Sequence, residues 1–377
     1  MDFITAIPHY VIWAILVLTV LIFVHEMGHY LAARRCGVRV EVFSIGFGPE
    51  IYGWTDRSGT RWKISAIPVG GYVKMFGERM VEETEAGETV PLNPADRAVA
   101  FGAKRLGQRA FIVFAGPFAN YLYAVVVMAG LFAVLGQPYT PADVGEVDPN
   151  SAAERAGMKP GDLIVGIGAT KVERFEEVQR IVQQRPGEPL SITVMRDGRE
   201  VALTATPDTV EFTNRFGSMQ REGRLGVRRT TLDRKFVRHD PATALWEATK
   251  ETASITGKIF EALSQMVTGS RSVRELGGPL KIMQMSGDTA REGTVTWIMF
   301  TVILSINLGL FNLFPIPLLD GGHLLFYFFE ALRGRPLDER TQEYGFRIGI
   351  ALILCFALFL TWNDLVSFDV VGLFSDS

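Results

Sequence analysis

The residues best suited to chemistry are two histidines and a glutamate near the start of the chain. His25, Glu26 and His29 form the pattern H-E-x-x-H at the end of an uncharged apolar run. On a helix, residues four apart share one face, so both imidazoles can bind one metal ion beside the Glu26 carboxylate. Neutral imidazoles suit zinc, and a carboxylate beside the metal can take a proton from water. The pattern therefore predicts a hydrolytic zinc site with Glu26 as general base.

A catalytic zinc ion normally has three protein ligands and one open position, so the two histidines need a partner. Asp320 is the best candidate, because it directly follows the uncharged run of residues 293–319. Pro315 and Pro317 break the helix in this run and leave backbone carbonyls that must face protein or a cavity. We expect Asp320 to be the third ligand, with His323 as the alternative.

Four uncharged apolar runs approach or exceed the length of about 20 helical residues that crosses a bilayer. They cover residues 3–24, 110–142, 293–319 and 348–363. Core helices of a large soluble protein are the alternative, but runs of this length are typical of membrane spans. The first run lacks the flanking pattern of a cleaved signal peptide, so we interpret it as a retained helix. The sequence predicts an α-helical polytopic membrane protein with four transmembrane helices.

The composition agrees with this class and excludes others. Hydrophobic residues make up 48% of the 377 residues, and their clustering excludes a disordered chain. The 38 Lys and Arg residues nearly balance 41 Asp and Glu residues, so no basic surface for nucleic acid is expected. Two cysteines, Cys36 and Cys355, are too few for a disulfide scaffold.

Positive charges predict the orientation in the membrane. Lysines and arginines flank the short connections, in residues 34–39, 104–109 and 333–347. The positive-inside rule places these connections in the cytoplasm. Both termini and the long segment between the second and third helices then lie on the extracytoplasmic face, and the active site lies toward the cytoplasm.

Two regions between the helices have other patterns. After the first helix, short strands are predicted at residues 40–43, 50–54, 61–67 and 72–76, separated by turns at 46–49, 56–59 and 68–71. We expect a small membrane-associated β-sheet there. The stretch SAAERAGMKPGDLIVGIG at residues 151–168 resembles a PDZ domain, whose sheet edge accepts a peptide as an added strand. A β-rich spacer without a ligand is the alternative.

Apolar residues at helical spacing also predict an amphipathic helix over residues 241–267. The whole chain is then divided into a first transmembrane helix (1–36), a cytoplasmic-side β region and loop (37–107), a second transmembrane helix (108–136), an inserted extracytoplasmic PDZ domain (141–232), an extracytoplasmic amphipathic-helix region (236–293), a third transmembrane helix with a Leu-Asp-Gly motif (294–332) and a fourth transmembrane helix (343–368).

Together these motifs resemble the site-2 protease family of intramembrane zinc metalloproteases. The resemblance covers nearly the whole chain, including H-E-x-x-H and the segments at residues 46–49, 70–75, 116–120 and 307–323. The helix order and the inserted domain resemble the regulators of sigma-E protease. The best-known enterobacterial type carries two PDZ domains, and this chain has room for one, so it resembles a single-PDZ member.

The resemblance implies one zinc ion per chain, held by His25, His29 and Asp320, with Glu26 as general base. It also implies a set of residues that position the substrate: Asn312, Pro315, Pro317, Gly70, Gly71, Tyr72, Val73 and Lys74. A transmembrane substrate hides its scissile amide inside its own helix. The strand at residues 72–76 is therefore expected to hold the unwound segment by strand addition.

By the same resemblance, the protein is a bacterial inner-membrane endopeptidase that cuts a single-span membrane protein, such as a pre-cleaved anti-sigma factor in a stress response. A peptide C-terminus is a further partner expected at the PDZ groove. From the residues alone, a non-catalytic PDZ scaffold and a metal transporter stay open. A structural zinc site normally has four protein ligands and no use for Glu26. Repeated halves would favour a transporter, and the sequence has no evident repeat.

Overall fold

A computed structural model describes residues 3–78, 81–83, 89–139, 141–213, 219–228, 235–270, 272–273 and 276–368. The chain forms two compact units. The first unit contains Met1–Met128 and Leu245–Ser377, and the second contains Ala129–Ala244. All residues of the predicted metal site belong to the first unit.

Helices dominate the first unit. The helices of the described residues are α1 (Phe3–Arg35), α2 (Pro94–Val99), α3 (Leu106–Val134), α4 (Ala152–Arg155), α5 (Phe175–Gln183), α6 (Pro241–Val267), α7 (Pro279–Glu292), α8 (Thr294–Asn312), α9 (Asp320–Arg333) and α10 (Glu339–Ser367). Four of them, α1, α3, α8 and α10, are long and apolar enough to cross a membrane. The prediction of four such helices is confirmed.

The β region after α1 contains the four predicted short strands, but as parts of longer ones. Each of two long antiparallel strands, β1 (Val40–Thr55) and β2 (Arg61–Met75), contains two of them. Two of the three predicted turns lie inside these strands, where Gly46 and Gly70 adopt φ values of +89° and +96° and the register shifts. Glycine tolerates this backbone conformation, so each strand bends without ending. The predicted turn around residues 56–59 is present.

Aromatic rings attach this hairpin to α1. Phe43 is buried, its ring stacks on that of Trp62 at 4.4 Å, and the Tyr30 ring of α1 meets it edge-on at 5.9 Å. At the hairpin turn, the Asp56 carboxylate accepts hydrogen bonds from Trp62 Nε1 at 2.9 Å and Tyr30 Oη at 3.3 Å. These contacts hold β2 against the part of α1 that carries the H-E-x-x-H pattern.

The remaining strands are β3 (Val81–Glu83), β4 (Thr89–Pro91), β5 (Gln137–Tyr139), β6 (Glu146–Val147), β7 (Leu163–Ile167), β8 (Thr170–Lys171), β9 (Leu190–Arg196), β10 (Arg199–Ala205), β11 (Asp208–Thr213), β12 (Met219–Arg224), β13 (Val227–Arg228) and β14 (Lys235–Val237). The second unit contains a four-stranded sheet in the order β10-β9-β7-β8. Buried side chains of the sheet and of α5, among them Ile164, Ile192 and Val178, form its core.

The third apolar run contains two helices, separated where the two prolines were predicted to break it. α8 ends at Asn312 and α9 begins at Asp320. Pro315 and Pro317 lie in the connection, and a proline cannot continue the hydrogen-bond ladder of a helix. The break places a carboxylate at the first position of a new helix.

Candidate metal centre

α1 supplies two of the atoms that could hold a metal ion. His25, Glu26 and His29 are 9%, 9% and 8% exposed, so the whole pattern is buried in protein. One turn of helix separates the two imidazoles, and their Nε2 atoms approach to 3.3 Å. The helical face predicted from the spacing therefore directs both rings to one point.

The break between α8 and α9 supplies the third atom. Asp320 Oδ2 lies 3.1 Å from His25 Nε2 and 3.5 Å from His29 Nε2. Two residues earlier, Leu318 adopts φ +104°, a conformation that a branched side chain rarely takes. Such strain persists only where the surrounding structure enforces it, and here it accompanies the turn that directs Asp320 toward the histidines.

The three atoms fit a zinc ion. With bonds of about 2.0–2.2 Å, the ligands of a tetrahedral zinc ion lie about 3.3–3.6 Å apart, and the observed separations are 3.1, 3.3 and 3.5 Å. Among the described residues, Asp320 Oδ2 is also buried without a hydrogen-bond partner, although it lies close to both rings. A buried carboxylate oxygen is stable when it is paired or coordinates a metal.

The environment of His29 favours the tautomer that binds metal. Its Nδ1 donates a hydrogen bond to the Ile112 carbonyl of α3 at 2.9 Å. A neutral imidazole carries one proton, so Nε2 then has a free lone pair directed at Asp320. Gly116, one turn further along α3, packs directly against His29 Nε2, and a Cβ atom there would collide with the ring.

The predicted substrate residues lie in two places near this centre. On β2, a Cβ atom at Gly71 would lie 3.3 Å from Glu26 Cγ, so the strand backbone contacts the predicted base. The Tyr72 ring stacks on Phe47 at 6.0 Å, and Lys74 pairs with Glu41 at 2.8 Å. Gly70 and Val73 belong to the same strand.

The other substrate residues, Asn312, Pro315 and Pro317, lie at the end of α8 and in the connection that leads to Asp320. His323, the alternative third ligand, lies one turn beyond Asp320, and its ring packs against Phe346 at 5.3 Å. Within the described residues, the cluster that can hold a metal consists of His25, His29 and Asp320 and does not include His323.

Comparisons with known proteins agree with this geometry. The model of peptidase family M50 matches residues 13–356. A protein of Agrobacterium fabrum that carries the name zinc metalloprotease is 44% identical over 361 residues, which cover 95% of this chain and 96% of that protein. A protein of Brucella suis with the same name is 43% identical over 93% of each chain. The metalloprotease MmpA of Caulobacter vibrioides is 38% identical over 94% of each chain.

Proposed function

The chain belongs to peptidase family M50 and is a zinc metalloprotease, and from that premise we propose that it cleaves peptide bonds inside the membrane. The observation that carries this proposal is that His25 and His29, on a helix long and apolar enough to span a membrane, lie close to Asp320, which follows another such helix. Ionisable groups at such depth are costly and are usually functional.

In this proposal His25, His29 and Asp320 hold the zinc ion and Glu26 is the general base. A bound zinc ion activates water and polarises the carbonyl that is attacked. Glu26 accepts a proton from the attacking water as the water oxygen bonds to the carbon of the scissile amide. The same carboxylate then returns the proton to the amide nitrogen, and the carbon–nitrogen bond breaks.

The proposed substrate is the transmembrane segment of a single-span protein, unwound at the site. β2 supports this role because its residues 70–74 run past Glu26, and Gly71 allows close approach of the backbone. In the described strand pairings, residues 42–45 of β1 pair with residues 61–64 on one side and 71–74 on the other, whereas residues 71–74 pair on one side only. An extended substrate can therefore add to the other edge of residues 71–74. Asn312, Pro315 and Pro317, at the end of α8 and in the connection to Asp320, would also position the substrate.

The same proposal places the protein in a bacterial inner membrane, with both termini and the second unit outside the cytoplasm. Its substrate class would be anti-sigma factors shortened beforehand by another protease. We further propose that the second unit is a PDZ domain. A cavity of about 280 Å³ between α5 and the strands β12 and β13, lined by Val178 and Leu225 among others, would receive a peptide C-terminus.

The role of Glu26 is tested with the full chain purified in detergent. We expect Glu26→Gln to bind zinc as the wild type does and to cleave a single-span model substrate about 100-fold to 10,000-fold more slowly, the usual contribution of a general base. Glu343→Gln, which removes an exposed carboxylate of α10, is the matched control. Cleavage by Glu26→Gln at the wild-type rate would contradict the assignment of Glu26. A wild type that binds as much zinc as Glu26→Gln but cleaves none of several such substrates would contradict the proposed function.

A further inference from the structure

His25 has a buried neighbour outside the ligand set. Its Nε2 points at Asp320, and its other nitrogen, Nδ1, lies 3.0 Å from the side-chain amide nitrogen of Asn120 on α3. Asn120 is 0% exposed, so water does not compete for this contact. The amide therefore determines which nitrogen of His25 carries the proton.

Metal ligation sets a requirement on that proton. A neutral imidazole has one N–H, and ligation through Nε2 places it on Nδ1, which must then donate to an acceptor. Nδ2 of Asn120 cannot accept a hydrogen bond, whereas Oδ1 can. The metal-binding form of His25 thus requires the Asn120 amide to present its oxygen, by a half-turn about its Cβ–Cγ bond.

Ser305 on α8 allows this half-turn. Its hydroxyl donates to the Asn120 backbone carbonyl at 3.0 Å and lies 3.4 Å from Asn120 Oδ1. When the amide is turned, Nδ2 faces the Ser305 oxygen, whose lone pairs are free to accept its hydrogen bond. Both ends of the amide therefore keep a partner, and no buried polar atom is left unsatisfied.

We infer that Asn120 is a positioning residue, which holds His25 in the tautomer that binds zinc; this inference rests on the proposed ligand set. The Ile112 carbonyl holds His29 in the same way. α3 thus contributes one acceptor for each histidine, two turns apart along the helix. Outer-shell acceptors of this kind orient the ring and increase its basicity.

Two substitutions of Asn120 separate this role from simple packing. Asn120→Leu keeps the side-chain volume but removes the acceptor, so zinc should bind about 10-fold to 100-fold more weakly, the usual loss for an outer-shell partner. Asn120→Asp supplies a stronger acceptor, so its zinc affinity should lie within about 10-fold of the wild type. A packing role predicts the opposite order, since a buried charge would be tolerated less well than leucine.

Zinc affinity is measured on the full chain in detergent by competition with a chromophoric chelator, with helix content checked by circular dichroism. Wild-type affinity in Asn120→Leu, or equally weak binding in both variants, would overturn the inference. His25→Ala serves as the reference: if it keeps zinc, the proposed ligand set itself fails.

A second measurement does not depend on the folding of any variant at position 120. In zinc-loaded wild-type protein with ¹⁵N-labelled histidine, the His25 signals, assigned by their loss in His25→Ala, should show a protonated Nδ1 and a metal-bound Nε2. An unprotonated or metal-bound Nδ1 would overturn the inference.

Discussion

Asp162 in the second unit and Asp320 in the first unit differ in how the charge of their carboxylates is satisfied. In the second unit, Asp162 is 1% exposed and accepts two hydrogen bonds from Arg196, both at 2.7 Å, and one from the Lys159 amide at 2.8 Å. In the first unit, Asp320 Oδ2 is buried without a hydrogen-bond partner and faces two imidazoles. Asp320 was predicted as a functional residue from the sequence, whereas Asp162 was not singled out there.

The two environments distinguish a carboxylate that stabilises the fold, Asp162, from one that we propose binds a metal, Asp320. Burying a charged group costs free energy unless hydrogen bonds, an opposite charge or a metal compensate it. Asp364 of α10 shows that the first unit also satisfies structural carboxylates, because it accepts hydrogen bonds from the amides of Gly278, Leu280 and Lys281 at the start of α7. Asp320 Oδ2, in contrast, lies beside two imidazoles, which supports the proposal that this carboxylate binds a metal ion.

Replacing Asp320 should produce the largest effect. We expect Asp320→Ala to weaken zinc binding by more than about 100-fold, beyond the usual range for outer-shell residues, and to abolish cleavage with it. The free energy of unfolding in the presence of a chelator should not fall, because the variant loses an unpaired buried charge. Zinc titration and chemical denaturation measure the two quantities. Full activity in Asp320→Ala would disprove the assignment and make His323 the next candidate.

Filling the space beside His29 tests the metal centre from another helix. Gly116→Ala places a Cβ atom against His29 Nε2, and we expect zinc affinity to fall at least about 10-fold, as for loss of an outer-shell partner. Gly130→Ala on the same helix is the control, because a Cβ atom there meets nothing within 4 Å. Equal zinc affinity in the two variants, measured by chelator competition, would show that α3 does not enclose the metal.

Replacing Asp162 should affect stability rather than zinc binding, the opposite of replacing Asp320. Asp162→Asn replaces one buried acceptor oxygen by an NH₂ group that cannot accept from Arg196 or Lys159, so we expect the second unit to lose about 1–3 kcal/mol of unfolding free energy, the usual penalty for an unsatisfied buried group. Zinc binding should not change. Hydrogen exchange of the β9 amides in the full chain measures the stability, with Glu200→Gln on the exposed side of β10 as control. Weaker zinc binding in Asp162→Asn would break the contrast between the two aspartates.

The contact between Asp162 and Arg196 also predicts that stability depends on pH, and this is the smallest of the expected effects. Burial acts to raise the pKa of Asp162, but the hydrogen bonds from Arg196 and Lys159 outweigh it and lower that pKa below its usual value. A carboxyl group with a lowered pKa stabilises the fold above the unfolded pKa of about 3.9, and the stabilisation is lost as the pH falls through the folded value. The stability difference between wild type and Asp162→Asn should therefore be constant near pH 7 and shrink below about pH 4. A difference that grows on acidification would contradict the pairing.

Local patterns were enough to predict much of this molecule. The four apolar helices follow from composition, and the shared face of His25 and His29 follows from helical spacing. Asp320 followed from the prolines that precede it, because a broken helix must direct its polar groups into protein. The hairpin was harder, because Gly46 and Gly70 have the sequence signature of turns but act as bends inside long strands.

The supporting residues of the metal centre could not be predicted. Ile112 takes part through its backbone carbonyl, which no side-chain pattern reveals, and lies 83 residues from His29 in the sequence. Asn120 lies 95 residues from His25, and although residues 116–120 are part of the family resemblance, no sequence pattern pairs Asn120 with His25. Gly116 matters because of one close contact with a ring of α1. All three depend on how α1 and α3 pack, and a single sequence does not report that packing.

The central claim is that Asp320 Oδ2 lacks a hydrogen bond because it binds zinc together with His25 and His29. X-ray absorption at the zinc edge, recorded on the zinc-loaded full chain in detergent, tests it most directly. The wild type should show two imidazole ligands with the remaining scattering from oxygen, and Asp320→Ala should lose an oxygen ligand or the metal itself. Three imidazole ligands in the wild type, or an unchanged spectrum in Asp320→Ala, would contradict the claim.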